Sequence, residues 1–263
     1  MQPNAISPWP WRHVLITGAS SGIGRALAEA LAAPGMTLHL GGRDAARLAE
    51  AAAACSALGA SVATRQADVR DASAMAAWIG GAGQLDLVLA NAGIGAGTGQ
   101  GYERAEDARA VFETNVTGVL NTVIPAVAAL AAQPAGPGGL RGRIAVVASI
   151  ASFVATPGAP AYSAAKAAVQ RWAEALDATE RRRGIRLHSI CPGYIRTPLT
   201  ARNRFPMPLL MEPAEAARRS LEGVRAGRIR VVFPRRMYAL ARLVGALPPG
   251  WRAALMAGFP GKD

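Results

Sequence analysis

Short apolar runs of strand length alternate with longer, alanine-rich stretches of helical period along most of the chain. The pattern predicts a strand over 12–17 (RHVLIT), a helix over 22–33, a strand over 37–40, a helix over 45–58, a strand over 61–66 and a helix over 72–79. A strand over 85–90 (LDLVLA) follows, then helices over 103–114 and 116–132, a strand over 143–149 (RIAVVAS), a long helix over 161–183 and a strand over 186–191. A helix over 213–226 and a seventh strand over 229–233 come last. The strands are apolar throughout and each is followed by a helix. That is the signature of a parallel sheet covered on both faces. Right-handed crossovers then give an α/β fold: a single domain with a doubly wound, seven-stranded, mostly parallel sheet and helices on both faces. Glycine and proline clusters over 93–101 and 134–142 read as loops. The organisation expected is an extension over 1–11, one domain over 12–235 and a C-terminal helix and tail over 236–263.

The first strand runs into Thr17-Gly18-Ala19-Ser20-Ser21-Gly22-Ile23-Gly24, and a helix follows. A strand–turn–helix at this place points backbone N–H groups and a helix dipole at one spot, which suits a pyrophosphate. Gly18 permits the tight turn; Gly22 and Gly24 permit close approach of a dinucleotide and close helix packing. This makes the doubly wound sheet a Rossmann fold.

The spacing is T-G-x-x-x-G-x-G rather than G-x-G-x-x-G, and here the sequence resembles the short-chain dehydrogenase/reductase family. Further signals stand where that family has them: Asp68, Asn91-Ala92-Gly93, Asn115, Ser149, Tyr162-Ser163-Ala164-Ala165-Lys166 and Pro192-Gly193 with Thr197. The resemblance covers about Val14 to Thr200. It implies a nicotinamide-dependent oxidoreductase acting on a small carbonyl or alcohol, in a homo-oligomer. It assigns the glycine turn (Gly18, Ser20, Ser21, Gly22, Ile23, Gly24), Asn91, Ala92, Gly93, Pro192 and Gly193 to the cofactor, and Asp68 and Val69 to the adenine pocket. Ile195, by its backbone, and Thr197 would hold the carboxamide. Asn115 would interrupt its helix and hold a water linking Lys166 to solvent.

An acidic residue ending the second strand would favour NAD. Here that strand ends His39-Leu40-Gly41-Gly42-Arg43-Asp44. Gly42 takes the acidic position, and the Arg43 guanidinium suits a 2′-phosphate, so NADP(H) is expected over NAD. Asp44 reads as a helix N-cap. Tyr162 and Lys166 are one helical turn apart on one face. A phenol titrates near pH 10, and a neighbouring ammonium lowers that, so Tyr162 is the expected proton donor. Lys166 would also bind the nicotinamide ribose, as in the family. Ser149 ends a strand at the edge where such sheets keep their ligands, and its hydroxyl suits a developing oxyanion.

Composition narrows the alternatives. The formal charge is +12, yet the arginines are scattered, aromatics are few and no nucleic-acid motif appears, which excludes a nucleic-acid binder. Only Lys166 and Lys262 are lysines, so an internal lysine in this chain is conspicuous. His13, His39 and His188 stand alone and no metal spacing occurs, so no metal is expected. Cys55 and Cys191 read as reduced thiols. No signal-peptide pattern and no long apolar run appears, so a cytoplasmic protein is expected. Phe205, Met207, Leu209, Leu210 and Met211 lie in a 198–213 segment placed like a substrate lid, with Phe153, Val154 and Tyr194 as further pocket candidates; they suggest an apolar substrate. Tyr238, Leu240, Leu243, Val244 and Leu247 have helical spacing between arginines. Such a helix packs on its own domain, on a second subunit or on a membrane surface. The competing functional reading is a non-catalytic NADP-binding redox sensor or scaffold; the proton-transfer set argues against it.

Overall fold

The computed structural model describes residues 9–98, 101–201, 203 and 205–256. Seven strands, β1 (His13–Thr17), β2 (Thr37–Gly42), β3 (Ser61–Gln66), β4 (Leu87–Ala90), β5 (Gly142–Val147), β6 (Ile185–Pro192) and β7 (Arg230–Phe233), form one sheet ordered β3-β2-β1-β4-β5-β6-β7. Every pairing is parallel, so the mostly parallel sheet expected is wholly so. The direction of winding reverses between β1 and β4, and ligands of such sheets sit beyond the strand ends at that point.

Alternation along β1 explains the continuous apolar run. Val14 and Ile16 face one core with Leu27 and Leu31 of α1 (Gly22–Leu31) and Leu221 and Val224 of α7 (Pro213–Arg225). Leu15, between them, faces the opposite core with Val119 and Val123 of α5 (Gly118–Ala132) and Val169 and Ala173 of α6 (Pro160–Glu180). Both sheet faces are therefore dry, and neither tolerates a polar strand position. β3, the edge strand, is largely exposed and polar. Asp44 caps α2 (Ala45–Ala57) by accepting from Arg47 N–H at 3.0 Å, and Asp71 caps α3 (Ala72–Gly80) through Ala74 N–H at 2.9 Å.

The two helices expected over 103–132 are one rod. α4 (Ala105–Phe112) passes into α5 through a π-helical turn, Glu113–Thr117, in which Gly118 N–H donates to the Glu113 carbonyl. Asn115 interrupts the α-helix as expected, but by a wide π turn rather than a break, and its side chain is buried there. The rod is long and apolar enough to cross a bilayer by length and composition. Its Val111, Val119, Val123, Ala126 and Leu130 are, however, part of the buried core.

Two further helices follow β7: α8 (Arg235–Gly245) and α9 (Pro249–Met256). α8 folds back onto the 3₁₀ turn Ile150–Phe153. A side chain at Gly245 would collide with the Phe153 carbonyl, and the Phe153 ring meets Tyr238 edge-on at 4.8 Å. Cys55 and Cys191 are free and buried, and burial pushes their thiols up to about 11 and about 12. His188 is buried against the Arg228 carbonyl (2.7 Å), and burial pushes its imidazole down to about 4, so it is a neutral structural residue.

Asp177 ties α6 to β6. Its buried carboxylate accepts from Leu187 N–H at 2.9 Å, Arg186 Nε at 2.9 Å and Arg181 Nη2 at 2.7 Å. Burial alone would raise its pKa; the bonds from Arg186, Arg181 and Leu187 outweigh burial and hold it below the usual carboxylate value. A depressed native pKa gives stability that is complete above the unfolded value, near pH 4, and is lost as pH falls through the native one. Asp177→Asn is expected to cost about 1.5–3 kcal/mol at pH 7, the worth of hydrogen bonds to a charged group. Urea denaturation across pH 7 to 3 checks this: the gap between parent and variant should close on the acid side.

Candidate active site

Where β1 and β4 end side by side, three pieces of backbone meet with almost no side chains between them. Gly18 and Gly22 adopt left-handed φ of +67° and +55°. A Cβ at Gly18 would stand 2.8 Å from Ala92 Cα, and one at Gly24 would overlap the Gly18 carbonyl and the Asn91 amide. Asn91 fills the gap: its Nδ2 donates to the Thr17 carbonyl (3.0 Å) and the Gly18 carbonyl (3.2 Å). Thr17, buried, accepts from Asn91 N–H and Ala92 N–H, both at 3.1 Å. Ser21, at the start of α1, makes no side-chain cap, in contrast to Asp44 and Asp71. The first N–H groups of α1 are thus left for a ligand, and the helix dipole favours an anion there.

A cleft of about 410 Å³ opens over this turn. Gly18, Ser20, Ser21, Gly22, Ile23, Arg43, Asp68, Val69, Asn91, Ala92, Gly93, Pro192, Gly193, Ile195 and Thr197 all line it, with Ser149, Tyr162 and Lys166 at one end. Gly24 and Asn115 lie behind its wall.

At the Ser149 end, Ser149 Oγ accepts from Ala151 N–H at 3.1 Å and shares a hydrogen bond with the Tyr162 hydroxyl. Lys166 is buried; its Nζ donates to the Val147 carbonyl at 2.8 Å and lies 5.9 Å from the centre of the Tyr162 ring. The expected lowering of the phenol's pKa is not what results. Burial pushes Tyr162 above its ordinary value, and the Ser149 hydrogen bond offsets that only in part. Asn115 clamps the Ile94 peptide from both sides, Oδ1 accepting its N–H and Nδ2 donating to its carbonyl, each at 2.8 Å. A Cβ at Gly93 would press on Asn115 Oδ1 (2.9 Å) and Lys166 Nζ (3.3 Å), so this glycine separates the two polar heads.

Residues 12–206 match the family model described as short chain dehydrogenase. The chain belongs to that family. It is 36% identical over 245 residues to an uncharacterized oxidoreductase of Myxococcus xanthus, covering 90% of this chain and 93% of that one. It is 32% identical over 243 residues to a 3-dehydrosphinganine reductase of Arabidopsis thaliana, covering 88% of this chain and 72% of the relative. Among solved structures, a short-chain dehydrogenase from Sphingobium yanoikuyae in complex with NADPH aligns at TM-score 0.76 and 27% identity, over 94% of this chain and 96% of that one. A short chain dehydrogenase/reductase from Burkholderia phymatum in complex with NAD aligns at 0.77 and 25%, over 96% and 97%. This short-chain dehydrogenase is therefore an oxidoreductase of a family that uses nicotinamide cofactors, and its cleft fits one: uncapped N–H groups and a glycine-rich turn with only small side chains in the middle, charge at one end, proton-bearing groups at the other.

At the β2 end, Gly42 does hold the strand terminus, and Arg43 and Arg47 both line the cleft. Asp68 is paired with Arg70 at 2.6 Å, which, with Arg43 nearby, holds its carboxyl below the usual range. Trp78 was not anticipated. Its ring lies so close over Gly41 that a side chain there would overlap it, and it walls this end of the cleft. Thr17 was likewise overlooked as a brace.

Of the 198–213 segment placed like a lid, Pro198, Leu199 and Thr200 line the cleft, while Phe205, Met207, Leu209, Leu210 and Met211 are not in its lining. Met211 bridges to Ile195 and packs on the core, while Leu209 is exposed at φ +58°. Phe205 meets the Tyr194 ring at 6.0 Å, and 202 and 204 lie outside the described residues. Phe153 and Val154 line a separate cavity of about 530 Å³ between the 3₁₀ turn, α6 and α9, not the main cleft.

The glycines allow a two-signed test. Gly24→Ala forces a methyl against backbone and should destabilise by at least about 1–3 kcal/mol. Nothing lies within 4 Å of a Cβ at Gly80, in the last turn of α3, so Gly80→Ala should stabilise by about 0.4–1 kcal/mol. Thermal melts of the two variants should shift in opposite directions.

Proposed function

We propose that this short-chain dehydrogenase is an NADPH-dependent reductase of apolar ketones, with Ser149, Tyr162 and Lys166 as the catalytic set. The observation that carries the reading is the Ser149–Tyr162 hydrogen bond at the cleft's end, with the Lys166 ammonium one turn beyond. The cofactor, held over the glycine turn, would supply the hydride. Tyr162 holds the proton: burial keeps its phenol protonated at neutral pH, which suits an acid working in the reductive direction. Ser149 Oγ is fixed by Ala151 N–H, and a substrate oxygen entering beside Tyr162 would take over the O–H that the pair shares. Lys166, fixed by the Val147 carbonyl, steadies the phenolate left after proton transfer. Asn115 acts as a positioning residue through Ile94 and Gly93. The 3-dehydrosphinganine reductase relative supports the reductive direction, and Ile94, Ile195 and Leu199 in the cleft lining support an apolar substrate.

For the cofactor, related proteins are found with NAD and with NADPH, so charge carries the preference. Gly42 removes the acidic group that would repel a 2′-phosphate, and Arg43 and Arg47 bring guanidinium groups to the same end. Titration calorimetry should give tighter binding of NADPH than NADH by roughly tenfold to hundredfold, from a charge-assisted contact of about 1.5–3 kcal/mol. Arg43→Ala should erase most of the difference. Tighter NADH binding by the parent refutes the preference.

For the chemistry, Tyr162→Phe should leave the fold and NADPH binding intact and lower kcat by at least about 10²–10⁴-fold on ketones of increasing chain length. Lys166→Ala should weaken NADPH binding. Without the ammonium the phenol's pKa rises further, so activity on the alkaline side should be lost at higher pH than in the parent. Near-normal turnover by Tyr162→Phe would remove the tyrosine from the mechanism, and a parent that binds NADPH but reduces nothing would favour the binding-protein reading.

A further inference from the structure

α8 and α9 pack on the domain by one side only. Tyr238, Ala241 and Gly245 face inward, while Leu240, Leu243, Trp251 and Leu255 are 61%, 67%, 72% and 54% exposed. Leu240 and Leu243 share the outer face of α8, and Trp251 and Leu255 lie one turn apart on α9. Charge sets this region apart. From Gly223 to Met256 the chain carries seven arginines and no aspartate or glutamate. On α7, just before it, Arg218 and Arg219 pair with Glu215, and within the region Arg230 pairs with Glu174 of α6. Among the described residues no ion pair is found for Arg235, Arg236 or Arg242, all exposed on α8 beside the two leucines.

We propose that the outer face of α8 and α9 docks the protein on the surface of an anionic phospholipid bilayer. Exposed leucines and a tryptophan beside unneutralised arginines are the composition of an interfacial helix: the apolar side chains enter the headgroup boundary and the guanidinium groups stay with the phosphates. Trp251 is of the residue type that settles at that boundary. The same charge disfavours a second copy as the occupant. A two-fold interface brings the same patch to itself, setting Arg235, Arg236 and Arg242 against their own duplicates with no acidic residue on α8 or α9 to answer them. An anionic lipid surface answers every one. The proposal does not depend on the substrate or cofactor reading.

The test uses the full chain with vesicles of phosphatidylcholine alone and of equal parts phosphatidylcholine and phosphatidylglycerol. The parent should sediment with the anionic vesicles, far less with the neutral ones, and be released by salt. Arg235→Gln and Arg236→Gln should each lower the partition coefficient about fivefold, the equivalent of about 1 kcal/mol per arginine at an anionic surface. Leu243→Glu combined with Trp251→Glu should abolish sedimentation with an unchanged circular dichroism spectrum and melting temperature. A parent that stays in the supernatant with anionic vesicles overturns the proposal, as does equal sedimentation of the double variant. Lipid-free self-association of the parent that the double variant loses also overturns it and assigns the face to a second copy.

Discussion

The turn after β1 lies directly on the chain leaving β4, and the space between them admits backbone but no Cβ. Gly18 meets Ala92, Gly24 meets the Gly18 carbonyl, and the Asn91 amide bonds across the seam. Two central parallel strands whose connections run to opposite faces leave a gap at their ends, and this contact closes its floor. The uncapped end of α1 then points over the floor rather than into the core. Any side chain larger than hydrogen at the seam would lift the turn, and with it the row of N–H groups, away from the rest of the cleft.

The other end of the cleft obeys the opposite rule: polar side chains are packed tightly, with Ser149, Lys166 and Asn115 each held by backbone. A buried ammonium is costly to desolvate, and Lys166 meets that cost partly through the Val147 carbonyl. Asn115 meets its own through the Ile94 peptide, which becomes possible because the π turn swings its side chain inward. Gly93 keeps the two heads apart. The raised pKa of Tyr162 comes from the same dry packing. The site is rigid for the reason that it is buried: each polar atom has one place where its partner is available.

Much of this was legible in the chain. The strands were readable because both faces of β1 and its neighbours are apolar, and the Asp44 cap because aspartate before a helical run has a local meaning. The residues lining the cleft could be named because they fall at strand ends. Less local features were hidden. A π turn leaves no mark on apolar periodicity, so the rod over 105–132 read as two helices. Trp78 over Gly41 joins α3 to β2, and nothing in either segment announces the other. The Tyr162–Lys166 spacing shows the charge that would lower the phenol's pKa and not the burial that pushes it up. In α8 the apolar residues surround the helix, so spacing could not tell the inward Tyr238 from the outward Leu243.

The two ends of the cleft are held so differently that evolution can treat them differently. The glycine seam is locked by backbone on every side, and a lineage that alters it loses the floor. At the β2 end, Arg43 after the strand and Arg47 in the first turn of α2 are exposed side chains, and a Cβ at Gly42 would meet chiefly the movable Ser20 side chain, at 3.3 Å. Charge there can be rewritten by few substitutions without disturbing anything that holds the fold together. Descendants of such a scaffold can exchange one electron-carrier pool of the cell for another while inheriting the Ser149 end of the cleft unchanged.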